Sequence, residues 1–198
     1  ITTGAGDDII VGGLGDDTIE SNDADVRDVV VGDAVEIRLD VSTLVGSPDV
    51  YAFTHLPLEI ASIDPTYAGD DSIHTGTGSD LVVGGSGDDT IDTGANNARD
   101  IVFGDNASLI SVVVATESDF VEGQSIFNIH GGNDVITTGS GSDFVVAGTA
   151  DDEVYSGSED DVVFGDNAVI NMQATNHTDI AVAESTTPTI GGADELYG

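Results

Sequence analysis

The chain has 198 residues, 38 of them acidic and 3 basic, for a formal net charge of −35. A compact fold with that charge repels itself unless cations neutralise it, which excludes nucleic acid and anionic membrane as partners and makes a dissolved metal cation the natural one. With no cysteine, disulfides and thiolate metal sites are excluded, while a 39% hydrophobic content is too high for an acidic tail. The composition therefore predicts a chain that is disordered without metal and folded with it. No run approaches the ~20 apolar residues of a membrane helix, so membrane insertion is not expected. The first residues show no charged-then-apolar secretion signal, and they open inside a repeat, as a piece of a longer array would.

In chain order, glycine-rich turns ending in aspartate alternate with short apolar stretches. Residues 12–20 read Gly-Gly-Leu-Gly-Asp-Asp-Thr-Ile-Glu, and residues 84–92 read Gly-Gly-Ser-Gly-Asp-Asp-Thr-Ile-Asp. Phasing the chain on the aspartate and the aliphatic two residues later gives twelve units. Their aspartates are Asp8, Asp17, Asp28, Asp71, Asp80, Asp89, Asp100, Asp134, Asp143, Asp152, Asp161 and Asp194. The paired aliphatics are Ile10, Ile19, Val30, Ile73, Val82, Ile91, Val102, Ile136, Val145, Val154, Val163 and Leu196. Glycine admits the positive φ of a tight turn, and the end of each unit is extended, with side chains alternating between faces. Two units then make a coil of ~18 residues, and coils stack ~4.8 Å apart. The aliphatics fill the interior between two parallel sheets. Odd-unit turns stack on one edge and even-unit turns on the other.

The units group further. Val29–Ala34, Ile101–Ala107 and Val162–Ala168 resemble one another, and each precedes a long non-repeat stretch, roughly 35–68, 108–131 and 169–191. The turn then resumes at Gly69, Gly132 and Gly192. Three insertions are thus spliced into even-unit turns and leave from one edge. The whole is read as one continuous roll of super-repeats at about 1–68, 69–131 and 132–198. Outward residues of odd units are apolar (Ile9/Val11, Val29/Val31, Leu81/Val83, Ile101/Phe103, Phe144/Val146, Val162/Phe164). Those of even units are largely polar, such as Thr18/Glu20, Ser72/His74 and Thr90/Asp92. So large an apolar face does not stay in water. The insertions carry strand patterns that can cover it: Val35, Ile37, Leu39 and Val41 alternate with polar residues, Leu109 to Val114 is an apolar run, Met172 and Ala174 alternate with Asn171 and Gln173, and Ile180 to Val182 offers a return strand. The rival reading is a docking face for another subunit.

The nonapeptide at 12–20 and 84–92 fits the pattern Gly-Gly-x-Gly-x-Asp-x-aliphatic-x, and these units resemble the RTX (hemolysin-type) calcium-binding repeat family. The resemblance implies an all-β fold: a parallel β-roll or β-helix, here with the three β-rich insertions as an added sheet. It implies several Ca²⁺ ions between consecutive turns, held by the twelve aspartates named above. Further ligands would come from the carbonyl segments of Gly4, Gly6, Gly13, Gly15, Gly76, Gly78, Gly85, Gly87, Gly139 and Gly141. In the split turns Asp33, Asp105 and Asp166 stand in for a glycine carbonyl, with Asn106 and Asn167 beside them. Spacing alone shows only that this is feasible, since Ca²⁺ takes six to eight oxygens. The alternative is solvated acidic turns without metal. Acid–base catalysis by the Asp pairs is disfavoured because they recur as a structural period.

Two turns, at 21–28 and 93–100, carry two extra residues, and there Arg27 and Arg99 precede the aspartate. A guanidinium can neutralise carboxylates where calcium is missing; the alternative is an arginine turned outward. The two ladders should therefore differ, with calcium regular at Asp17, Asp71 and Asp89. Ala150 and Glu159 replace turn glycines and should weaken their sites. His55, His74, His130 and His177 show no zinc spacing. The function expected is a calcium-dependent structural module of a secreted or bacterial cell-surface protein (adhesin, surface layer, matrix or fibre), not an enzyme. The alternative is the calcium-dependent folding and export domain of a secreted enzyme or toxin. Flanking repeats of the same chain, or identical subunits stacked head to tail, are the expected partners besides calcium.

Overall fold

A computed structural model describes residues 1–24, 27–39, 58–66, 68–95, 97–114, 117–173, 180–187 and 189–198. Among them are three sheets and no helix. The first sheet is parallel and contains, in spatial order, β1 (Thr2–Thr3), β3 (Thr18–Ala24), β7 (Ser72–Thr77), β9 (Thr90–Asp92), β13 (Val135–Thr137), β15 (Glu153–Tyr155) and β19 (Glu195–Tyr197). The second, also parallel, runs from β2 (Ile9–Val11) through β4 (Val29–Val31), β8 (Leu81–Gly85), β10 (Ile101–Asp105) and β14 (Phe144–Gly148) to β16 (Val162–Asp166). The third is antiparallel: β5 (Val35–Leu39), β6 (Leu58–Ser62), β11 (Ala107–Val114), β12 (Glu117–Ser125), β17 (Ala168–Met172) and β18 (Ile180–Ser185). An all-β chain with parallel sheets, as a β-roll requires, is thus what the repeat forms.

Register follows the repeat. Ile19, Ile73, Ile91, Ile136, Val154 and Leu196 are successive partners across the first sheet. Ile10, Val30, Val82, Val102, Val145 and Val163 are partners across the second. One buried cluster unites residues from both rows. A one-residue slip would turn every one of these aliphatics outward, so burial fixes the register. Val163 is only partly buried, and Leu196 is 48% exposed, because it sits on β19 at the edge of its sheet.

A second core lies on the opposite face of the second sheet. Val31, Val83, Phe103 and Val146 are at most 1% exposed and cluster with Ile60, Leu109, Ile170 and Met172 of the third sheet. Val35, Ile37 and Ile180 pack against the same cluster. Val41 and Ala174, which the alternation placed in these strands, lie outside the described residues. The first sheet's outer face is wet. Glu20, His74, Asp92, Thr137, Tyr155 and Tyr197 form one cross-strand row there. His74 Nδ1 lies 3.4 Å from Asp92 Oδ2, and Tyr155 stacks on Tyr197 with ring centroids 4.9 Å apart.

Candidate metal centre

The unit aspartates stack into two ladders. On the even edge the backbone N–H of Asp17 donates to Asp71 Oδ1 at 2.8 Å, and that of Asp71 to Asp89 Oδ1 at 2.8 Å. The chain continues from Asp89 to Asp134, Asp134 to Asp152 and Asp152 to Asp194 at 2.9, 2.9 and 3.2 Å. The odd edge repeats the arrangement through Asp8, Asp28, Asp80, Asp100, Asp143 and Asp161, at 2.8–3.0 Å. Each aspartate after the first on its edge therefore commits Oδ1 to the coil before it.

Oδ2 is treated differently. For Asp71, Asp89, Asp134 and Asp152, Oδ2 is buried and accepts no hydrogen bond. Each of these residues is at most 2% exposed. Such an orphaned acceptor is costly unless something positive meets it. Asp71 Oδ2, Asp89 Oδ2 and Asp134 Oδ2 lie over the Cα atoms of Gly32, Gly84 and Gly104, closer than 3.0 Å to where a Cβ would stand. The carbonyl oxygens of Gly84, Gly104 and Ala147 converge on the same three points. At each step a carboxylate oxygen and a carbonyl from the next coil thus face one another with no donor between them. That is the chemistry of a hard cation site. Among the described residues no three Asp, Glu, His or Cys side chains gather as a metal site, so an ion here takes carbonyls alongside its carboxylates. Calcium fits these residues. It would be held by the even-edge aspartates and the carbonyls of their glycine segments, neutralising the ladder.

Electrostatics agree. Burial raises the carboxyl of Asp89 to about 9 and that of Asp152 to about 8, and keeps Asp134 well above the ordinary carboxylate range. Asp71 is raised by burial to about 6. On the odd edge, burial raises Asp100 to about 8 and Asp80 to about 6.

The remaining sequence candidates fall as follows. Gly15, Gly76, Gly87 and Gly139 each turn a carbonyl toward a glycine of the adjoining coil: Gly69, Gly94, Gly132 and Gly157. Gly13 N–H donates to the Gly32 carbonyl, and the Gly85 carbonyl accepts from Asn106 Nδ2 at 3.3 Å. Gly141 N–H donates to Ser158 O at 3.2 Å. Gly4 and Gly6 border open space. Gly78 lies between β7 and β8 in the odd-edge turn before Asp80. Asp33, Asp105 and Asp166 tie turns: Asp33 accepts from Ser86 N–H, Asp105 from Gly132 and Thr149 N–H, and Asp166 from Gly192 N–H, while Asp33 Oδ1 is buried without a hydrogen bond. Arg27 and Arg99 are half-buried. Arg27 Nε donates to the Ser79 carbonyl and Arg99 Nε to the Ser142 carbonyl, both at 3.1 Å, and the Arg99 guanidinium lies 5.2 Å from the centroid of the Phe144 ring. Each arginine thus reaches the coil after its own.

Sequence reasoning missed an outer ladder of opposite sense. Asp70 N–H donates to Asp16, Asp88 N–H to Asp70, Asn133 N–H to Asp88, Asp151 N–H to Asn133 and Ala193 N–H to Asp151. The signal was present as the doubled acid at Asp16-Asp17, Asp70-Asp71 and Asp88-Asp89.

The stacked parallel turns with cation-seeking edges define a calcium-binding repeat protein. The model of the RTX calcium-binding nonapeptide repeat matches residues 1–25, 66–100 and 130–163, in four copies, so these stretches carry repeats of the RTX type. No curated relative matches it.

Ala150 and Glu159, which replace turn glycines, adopt φ of 87° and 83°. A side chain in this region costs of order 1–3 kcal/mol. Glu159→Gly should therefore stabilise the calcium-loaded chain by about 1 kcal/mol. A melting temperature unchanged or lowered in excess calcium would show that the Glu159 side chain compensates its own strain.

Proposed function

We propose that the chain is a structural, non-catalytic module of a secreted or cell-surface protein: one two-sheet solenoid of three super-repeats, with the insertions as its third sheet, folding on extracellular calcium. The observation that carries this reading is the run of four even-edge aspartates whose buried Oδ2 atoms accept no hydrogen bond. Carboxylates so placed oppose folding until a cation arrives. Repeats of this family are typical of secreted proteins, where calcium is abundant, and extracellular modules bind it at about 10⁻⁴–10⁻³ M.

Calcium titration followed by circular dichroism tests it. A cooperative gain of β signal in that range is expected. The same β spectrum in excess chelator and in calcium would overturn it.

Further coils, from the same chain or an identical subunit, are the partner this shape suits. The support is that each parallel sheet adds one strand per coil in constant register. Parallel edges of this kind recruit strands. Sedimentation in saturating calcium, with and without Leu196→Asp, reads out self-stacking; a monomer in both arms counts against the identical-subunit form.

A further inference from the structure

The first position of each turn differs systematically between the edges. On the even edge it is Gly12, Gly32, Gly84, Gly104, Ala147 and Gly165. On the odd edge it is Thr3, Ser21, Thr75, Thr93, Thr138 and Ser156. We propose that the edges use different cations: calcium binds along the even edge, whereas the odd edge is closed at Asp80 and Asp100 by hydroxyl hydrogen bonds, is neutralised in part by Arg27 and Arg99, and takes no calcium at those two aspartates. The inference rests on the calcium-dependent reading above and deepens it.

The geometry supports the division at Asp80 and Asp100; at Asp143, whose Oδ2 is buried without a hydrogen bond, the Arg99 charge acts instead. Where the even edge leaves Oδ2 facing a bare glycine and a carbonyl, Thr75 Oγ1 donates to Asp80 Oδ2 and Thr93 Oγ1 to Asp100 Oδ2, each at 2.6 Å. A hydroxyl donor in this position satisfies the carboxylate and occupies the side from which a metal would approach. The step from Asp28 to Asp80 carries Arg27 on the Ser79 carbonyl, and the step from Asp100 to Asp143 carries Arg99 on the Ser142 carbonyl. Those carbonyls belong to the residue just before each ladder aspartate. A guanidinium donating to such a carbonyl, with its charge acting on Asp80 or Asp143, supplies what calcium supplies opposite. The chain thus carries part of its counterion covalently, and that part is always present.

The test counts calcium bound per chain by equilibrium dialysis, in the whole chain, alongside the thermal midpoint in saturating calcium. Asp89→Asn is expected to lose at least one ion per chain and to raise the half-saturating calcium concentration several-fold. Arg99→Gln and Asp100→Asn are expected to lower the thermal midpoint with no loss of bound calcium. Should Asp100→Asn not fold, Thr93→Gly combined with Arg99→Gln is decisive, because it restores even-edge chemistry and should add an ion. Loss of an ion from Asp100→Asn matching that from Asp89→Asn, or from Arg99→Gln, overturns the division of edges. A parent chain that binds no calcium overturns the functional reading itself, which is a separate result.

Discussion

In chelator at pH 7.5 the chain is expected to lose its β spectrum, and acidification to about pH 4 to restore much of it without calcium. The sign follows from the buried carboxyls. Desolvation holds Asp89 at about 9, Asp100 and Asp152 at about 8, and Asp33 and Asp105 at about 7, against an ordinary value of 3.8. Groups whose folded values are raised favour folding fully below the unfolded value and lose that contribution as pH climbs through the folded one. For each of them the penalty grows by roughly 1.4 kcal/mol per pH unit between the two values. Metal-free folding is therefore penalised increasingly from about pH 4 upward, up to pH 9. Calcium binds the ionised form, so proton and calcium compete, and calcium affinity should rise from pH 5.5 to 8. A calcium midpoint that stays flat across that range, or falls, would contradict the assignment of the even-edge carboxylates, Asp89 and Asp152 among them, to the metal.

Phe103→Ala should destabilise the calcium-loaded chain by about 3–5 kcal/mol, the usual cost of emptying a buried aromatic site. Phe103 is 1% exposed and belongs to the cluster that joins the second and third sheets. Gly123 on β12 leaves room for it: a Cβ there would meet the Phe103 ring and Leu109 Cδ2 closer than 3.0 Å. Gly123→Val should therefore cost about 1–3 kcal/mol by overpacking. Chemical denaturation in saturating calcium measures both. A Phe103→Ala cost below about 1 kcal/mol would mean that the third sheet covers this face only loosely, and the docking alternative would regain ground.

Much of this was legible in the sequence because the repeat is periodic in chemistry as well as in length. Ile19, Ile73, Ile91, Ile136 and Val154 have only one burial-consistent register, and their aspartates follow into line. The apolar face at Val29/Val31 and Phe144/Val146 announced a cover because alternation failed there. Less legible was the use of each carboxylate oxygen. Phasing placed Asp80 and Asp89 as equivalent, yet one Oδ2 meets a threonine hydroxyl and the other a bare glycine. That difference is set by a residue five positions earlier, Thr75 or Gly84, outside the span on which the units were aligned. Arg27 and Arg99 were flagged as cations for their own turns, but side-chain length carries them to the next coil, which spacing along one turn does not encode. Nor does spacing encode that Asp105 accepts from Gly132 and Thr149, joining turns across an insertion.

The two ladders on the even edge run in opposite senses, and this bears on how the stack carries load. Inner aspartates take hydrogen from the preceding coil, whereas outer ones take it from the following coil. Neighbouring amides, such as those of Asp70 and Asp71, are therefore pulled toward opposite ends of the stack. Sliding one coil against the next in either direction strains one ladder or the other, so the edge resists shear without a soft direction. Tension along the stack loads both ladders in parallel with the strand hydrogen bonds and with any calcium between the turns. On the proposed calcium-dependent reading, a segment of this design is expected to be stiffest when its turns hold calcium. Its compliance per coil would then follow the calcium concentration around it.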